Sequence, residues 1–212
     1  MTKLVPVLAL SLLVAGCSIV GDRSGTEQVA YDVVQPIDDQ VEIRRYGPRL
    51  AAEAVVDVRD GEDGANAAFR VLFAYITGAN RGQQDIAMTA PVATDVKGEE
   101  IAMTAPVETA VGTSGSYRMR FFLPTSYTAE TAPQPTDPRV RIVAVPEETV
   151  AALRFTGGRD EAETAARKDR LLAALEVTEW TPTASPVAYF YDPPWTLPFL
   201  RRNEVLVAVA PR

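Results

Sequence analysis

Val41-Glu42-Ile43-Arg44-Arg45-Tyr46, then Gly47-Pro48, then Leu50 to Val58 is the stretch from which the fold unrolls. Its first six residues alternate apolar and polar with period two, the mark of a half-buried strand. Gly47-Pro48 is a turn signal. Leu50 to Val58 alternates again, with Ala52, Ala54, Val56 and Val58 set against Glu53 and Asp57. Upstream, Tyr31 to Val34 reads as a further strand. Downstream, Gly61 to Gly64 breaks the pattern, and Ala65, Ala68, Phe69, Leu72, Phe73, Tyr75 and Ile76 recur at helical spacing, with Gly78 as the C-terminal cap. Tyr117 to Leu123 is a strand, and the proline-bearing Pro124 to Pro138 is a surface connection. The second half replays the first. Val140 to Val145 and Thr149 to Phe155 are strands, Gly157-Gly158 is a break, and Asp160 caps a helix running to about Val177. Val187 to Tyr191 and Glu204 to Ala210 follow as strands. Strand, strand, helix, strand, strand, twice over, predicts an antiparallel α+β domain. Its two helices lie on one side of a curved sheet or open barrel, and its two similar halves have pseudo-twofold character.

A phrase said twice interrupts this order. Ile86-Ala87-Met88-Thr89-Ala90-Pro91-Val92 returns letter for letter as Ile101-Ala102-Met103-Thr104-Ala105-Pro106-Val107. The period is too short for a solenoid unit, so the copies read as two extended segments around a turn. Pro91 and Pro106 donate no ladder hydrogen bond, so the chain should leave the sheet or run along its edge there.

The N-terminus carries a separate message. Lys3 is followed by the apolar run Leu4 to Val14, too short to span a bilayer as a stable helix, which predicts a secretory signal over residues 1–16. Leu13-Val14-Ala15-Gly16-Cys17 resembles a bacterial lipobox, so Cys17 is expected to be acylated and to anchor a tether over 17–28 ahead of a domain over 29–212. Ser18 stands where an aspartate would favour the inner membrane, which points to the outer membrane, facing the periplasm. The chain has 21 basic and 28 acidic residues, net −7. Loss of Lys3 with the leader makes it −8, a charge that argues against a nucleic-acid partner. Cys17 is the sole cysteine and there is no histidine. Zinc sites and Ser-His-Asp chemistry therefore lack their parts. A phosphate-binding glycine loop and Gly-x-Ser-x-Gly are absent, so no nucleotide is expected and catalysis has little support.

Several stretches resemble the SOUL/heme-binding protein family: Val41 to Tyr46; Phe69, Leu72 and Tyr75-Ile76-Thr77-Gly78-Ala79-Asn80; Ile86 to Val92; Phe155-Thr156-Gly157-Gly158; Tyr191-Asp192-Pro193-Pro194-Trp195; and Arg201-Arg202-Asn203-Glu204-Val205. They run from about residue 30 to 210. The resemblance implies a distorted antiparallel β-barrel flanked by two helices and built from two similar halves. It also implies reversible binding of heme or another tetrapyrrole in an apolar groove beside the first helix.

On that basis Phe69, Phe73 and Ile76 are candidates to stack on a flat macrocycle. Met88 and Met103 are pocket-lining residues or weak candidate iron ligands, since a thioether is a soft donor. Arg201 and Arg202, beside Tyr191 and Trp195, either hold propionates or form an internal ion pair with Glu204 or Asp192. Arg44-Arg45 is a second candidate clamp, although strand geometry sends the two side chains to opposite faces. Arg70 is the one cation of the first helix. The function expected is that of a lipid-anchored carrier, scavenger or buffer of a small flat apolar ligand. The alternatives are a small hydrolase using Glu204 with Tyr191, and an envelope interaction module without a small ligand.

Overall fold

A computed structural model of the chain describes residues 25–57, 63–82, 98–111 and 116–212. Its elements are β1 (Glu27–Gln28), β2 (Tyr31–Pro36), β3 (Val41–Tyr46), β4 (Arg49–Asp57), α1 (Gly64–Ile76), β5 (Asn80–Arg81), β6 (Thr104–Ala105), β7 (Val107–Val111) and β8 (Ser116–Phe122). They continue with β9 (Gln134–Pro135), β10 (Val140–Val145), β11 (Glu148–Phe155), α2 (Glu161–Leu175), β12 (Trp180–Pro182), β13 (Val187–Phe190), a 3-10 turn at Pro198–Leu200, and β14 (Asn203–Pro211).

One antiparallel sheet in the order β10-β4-β8-β7-β13-β14-β11-β3-β2, with β12 beside β14, curls into a half-barrel. Strand, strand, helix, strand, strand does occur twice along the chain, as β3, β4, α1, β7, β8 and as β10, β11, α2, β13, β14. The pseudo-twofold relation of the halves stays at the level of this recurring order. Neighbours in sequence are not always neighbours in the sheet. β3 and β4, joined across Gly47-Pro48, do not pair with each other: β3 pairs with β11, and β4 with β10. The first strand of each half thus lies against the second strand of the other, which interlocks the two.

Register decides what each face carries, because residues directly opposite across strands share a face. One row runs Val140, Ala54, Met119, Thr109, Ala188, Val205, Leu153, Val41. It lies under the helices. α1 buries Ala68, Leu72, Tyr75 and Ile76 against Ala52, Ala54, Met119 and Phe121. α2 buries Leu171 and Leu175 against Ile43, Leu153, Val205 and Val207. At roughly 25 cal/mol per Å² of apolar surface, these two layers are the main stabilising element of the fold.

The helix ends follow local chemistry. Asp63 Oδ1 accepts from the Ala65 and Asn66 amides, at 3.0 and 3.2 Å. Asp160 Oδ1 accepts from the Glu163 amide at 2.8 Å, the cap expected from sequence. After α1 the chain reverses through Gly78 at φ 117°, a left-handed conformation that favours glycine. Gly98 lies directly against Gly78, where any Cβ would collide with the Gly78 carbonyl. Asn80 binds this crossing together, donating to the Tyr75 and Glu99 carbonyls at 2.7 Å each and accepting from the Glu99 amide at 2.9 Å.

The second copy of the duplicated phrase is split by its proline. Thr104–Ala105 leaves the main sheet and pairs in parallel with Glu27–Gln28, whereas Val107–Val111 enters the sheet between β8 and β13. Among the described residues, strand pairing therefore begins at Glu27, inside the stretch expected to be tether. The first copy, with Met88, lies outside the described residues, as do the signal segment and Cys17.

Candidate functional site

The helix-free face of the sheet carries charge where the other carries methyl groups. Its central row reads Glu53, Arg120, Glu108, Tyr189, Glu204 across five neighbouring strands. Glu108 is 4 % and Glu204 0 % exposed, so the internal ion pair offered for Glu204 in the sequence is a buried one. A lone Glu204 between Asn203 and the apolar Val205-Leu206-Val207 run was the signal available.

Glu204 is saturated. Arg44 donates to both carboxylate oxygens, at 2.7 and 3.2 Å. Arg202 donates twice to Oε1, at 2.9 and 2.7 Å, and the Tyr191 hydroxyl donates to Oε2 at 2.8 Å. Arg44 also sits 4.1 Å over the Tyr31 ring, and Arg202 3.9 Å over Tyr191. Beside this cluster, Glu108 accepts from Arg118, Arg120 and Tyr189. Arg49 pairs with Glu148 and lies over the Tyr46 and Phe122 rings.

Burial alone would push the Glu204 carboxyl up, but the bonds and charges of Arg44 and Arg202, with the Tyr191 hydroxyl, outweigh it and hold the group below the usual carboxylate range. Tyr191 is driven well above 10, first by burial and then by the Glu204 charge. The pair singled out as possible hydrolytic groups is therefore bonded but fixed, with the tyrosine protonated and the carboxylate fully engaged. It serves as an ion-paired scaffold.

The buried tyrosines give an alkaline prediction. Tyr46 is pushed up to about 12 by burial, and Tyr189 and Tyr191 well above 10. Each is raised in the folded state, so each contributes stability that is whole below pH 10 and is lost as pH climbs towards the folded value. Thermal melts between pH 8 and 12 should show a plateau up to about pH 10 and a steep fall above it. In Tyr46→Phe the fall should be shallower.

The expected site residues separate into groups. Tyr191 and Arg202 turn inward to Glu204, so the internal ion pair is the reading that holds for Arg202. Arg44 is committed to the same carboxylate, while Arg45 points to solvent. Arg201 instead reaches the Thr196 and Pro194 carbonyls, at 2.7 Å each. Trp195 is 64 % exposed at the tip of that loop, and Met103 is 47 % exposed. On α1, Ile76 is core. Phe69 stacks on Phe73 at 5.6 Å and meets Phe121 edge-on at the same distance, leaving Phe73 with an outward face.

Two concavities are open to a guest. One, of about 250 Å³, lies by Val29, Tyr31, Arg49 and Phe122. The larger, about 420 Å³, is an open groove between α1 and the approach to β10, lined by Ala67, Arg70, Val71, Ala74, Asp137 and Arg139. Residues 67, 70, 71 and 74 share one flank of the helix, and 69, 73 and 76 the other. The groove therefore excludes the phenylalanine pair, and sequence reasoning missed Ala67, Val71, Ala74 and Arg139. Small side chains spaced along one helical flank were the signal. Three apolar side chains, Ala67, Val71 and Ala74, line it with Arg70, Asp137 and Arg139, and Arg139 donates to Asp137 at 2.6 Å. Neither histidine nor methionine lines it. No metal-holding group of three His, Cys, Asp or Glu residues exists among the described residues.

A half-barrel with two helices on one face defines an antiparallel α+β domain. The family model of the SOUL heme-binding proteins matches residues 26–208, and the chain belongs to that family. No curated protein sequence matches significantly. Among solved structures, the C-terminal domain of EcmrR is similar, with a TM-score of 0.58 at 11 % identity over 82 % of this chain and 98 % of that one. A protein described as a hydrolase from Listeria innocua gives 0.53 at 12 % identity over 81 % and 92 %. An uncharacterised conserved protein from Listeria innocua gives 0.56 at 10 % identity, again over 81 % and 92 %. At these identities the likeness is one of fold.

Proposed function

We propose that the protein is a lipid-anchored cell-envelope protein that reversibly binds heme or another tetrapyrrole along α1, as a carrier, scavenger or buffer. The observation that carries this reading is the groove of Ala67, Val71 and Ala74 edged by Arg70 and Arg139, in a member of the SOUL family. Apolar contact supplies the affinity and arginine meets the propionates, so the macrocycle is held without an imidazole on the metal. Reversibility follows from an open groove that leaves one edge of the guest in water. Acylation of Cys17 holds the domain at the membrane, and two or more acyl chains suffice for that.

The test is an absorbance titration with hemin and with iron-free protoporphyrin. Similar affinities are expected for the two. Ala74→Trp fills the groove from an exposed position and should weaken both by about tenfold or more, roughly 1.4 kcal/mol. Arg70→Ala should weaken protoporphyrin but not its dimethyl ester. Phe73→Ala is the discriminating control. If it abolishes binding while Ala74→Trp does not, the guest lies on the other flank of α1. If neither macrocycle binds, the reading fails.

A further inference from the structure

The loop between β13 and β14 holds several apolar side chains outward. Trp195 is 64 %, Phe199 68 %, Leu197 40 % and Leu200 36 % exposed. The loop backbone is tightly tied. Arg201 grips the Pro194 and Thr196 carbonyls, the Gly157 amide donates to the Pro198 carbonyl at 3.0 Å, and Asp192 Oδ2 accepts from the Arg202 amide at 2.6 Å. The tip is thus a fixed apolar projection.

Two further observations say what it meets. Two guanidiniums and one carboxylate stand at the base of the loop. Arg159 donates to the Asp192 carbonyl, and burial first, then the charge of Arg201, pulls it down to about 10 against the opposing charge of Asp192. The loop also stands where the chain arrives from its N-terminal side. Arg202, at the end of the loop, donates to Gln28 in β1 at 3.1 Å. Ten residues separate Cys17 from Glu27, a reach of about 35 Å at full extension.

We infer that Trp195, Leu197, Phe199 and Leu200 dock into the interface of the bilayer to which the chain is tethered, with Arg159 and Arg201 facing anionic headgroups. Indole favours the water–lipid boundary, and arginine behind an apolar tip reaches phosphate. The occupant is a phospholipid surface containing anionic lipid. The inference rests on the anchor proposed above, and it adds an orientation, because a tether alone leaves the domain free to tumble.

The experiment uses the full chain, expressed with its lipid modification and reconstituted into vesicles of phosphatidylethanolamine and phosphatidylglycerol carrying brominated acyl chains. The protein has two tryptophans, so Trp180→Phe leaves Trp195 as the only reporter, and Trp195→Phe leaves Trp180. Emission from Trp195 should shift to the blue and be quenched by bromine, whereas Trp180, bonded to Gln35, should be unaffected. Phosphatidylcholine-only vesicles should reduce the quenching, and L197D/F199D in the Trp180→Phe background should remove it. Intact mass separates the two ideas. An acylated protein with unquenched Trp195 overturns the docking and keeps the anchor. An unacylated protein with quenched Trp195 keeps the docking and overturns the anchor. Equal quenching of both tryptophans overturns the docking.

Discussion

Glu204→Ala lowers the unfolding free energy by about 3–5 kcal/mol, the cost of removing one partner of a buried ion pair. The carboxylate is 0 % exposed and accepts from Arg44, Arg202 and Tyr191. Its removal takes the shared anion from two neighbouring guanidiniums, leaving Arg44 only its bond to Glu42 at 2.6 Å and Arg202 with no carboxylate among the described residues. Equilibrium urea denaturation followed by circular dichroism measures the loss. Replacing Arg44→Met together with Glu204→Leu should recover only part of it, because Arg202 and Tyr191 still lose their acceptor. A single variant within a few tenths of a kcal/mol of the parent would show that the cluster contributes nothing to folding. Acid sensitivity follows the same logic. Glu204 titrates below its unfolded value, so its contribution is present above about pH 4.3 and falls away only below that.

Phe122→Ala costs a similar amount, about 3–5 kcal/mol, by a different route. The ring is 2 % exposed, meets Tyr189 edge-on at 5.8 Å and lies 5.1 Å beneath the Arg49 guanidinium. It also lines the 250 Å³ concavity, so truncation deepens an existing opening. The melting temperature should fall by on the order of 10 °C. Phe122→Leu, which keeps most of the volume, should lose less than half as much.

Much of this architecture was legible. Period-two runs gave β3, β4, β10 and β11 nearly to the residue, and Asp160 marked the start of α2 because a short carboxylate before an apolar helix has one evident use. The SOUL resemblance was legible too, since its phrases are local and ordered. Alternation alone did not show which face is dry. In Ala51-Ala52-Glu53-Ala54 both faces are buried, one under a helix and the other inside the curl of the sheet, so the alternation gave no sign that Glu53 and Glu108 face inward, whereas Glu204 was legible as an ion-pair partner for a neighbouring arginine. Partner exchange between β3 and β4 was invisible because pairing between distant strands leaves no local mark. The groove was missed for a related reason. Phe69 and Phe73 draw attention as aromatics, whereas the open flank of α1 is lined by small residues whose value lies in the room they leave.

The short parallel bridge between Glu27–Gln28 and Thr104–Ala105 has a mechanical consequence. Any pull arriving along the chain from its N-terminal side meets this bridge and the Gln28–Arg202 hydrogen bond before it can peel β2 from the edge of the sheet. Load passes into Arg202 and thence to Glu204, a buried carboxylate that Arg44 and Tyr191 also hold. A pull from that side is thereby taken up on the helix-free face of the sheet, away from the groove beside α1.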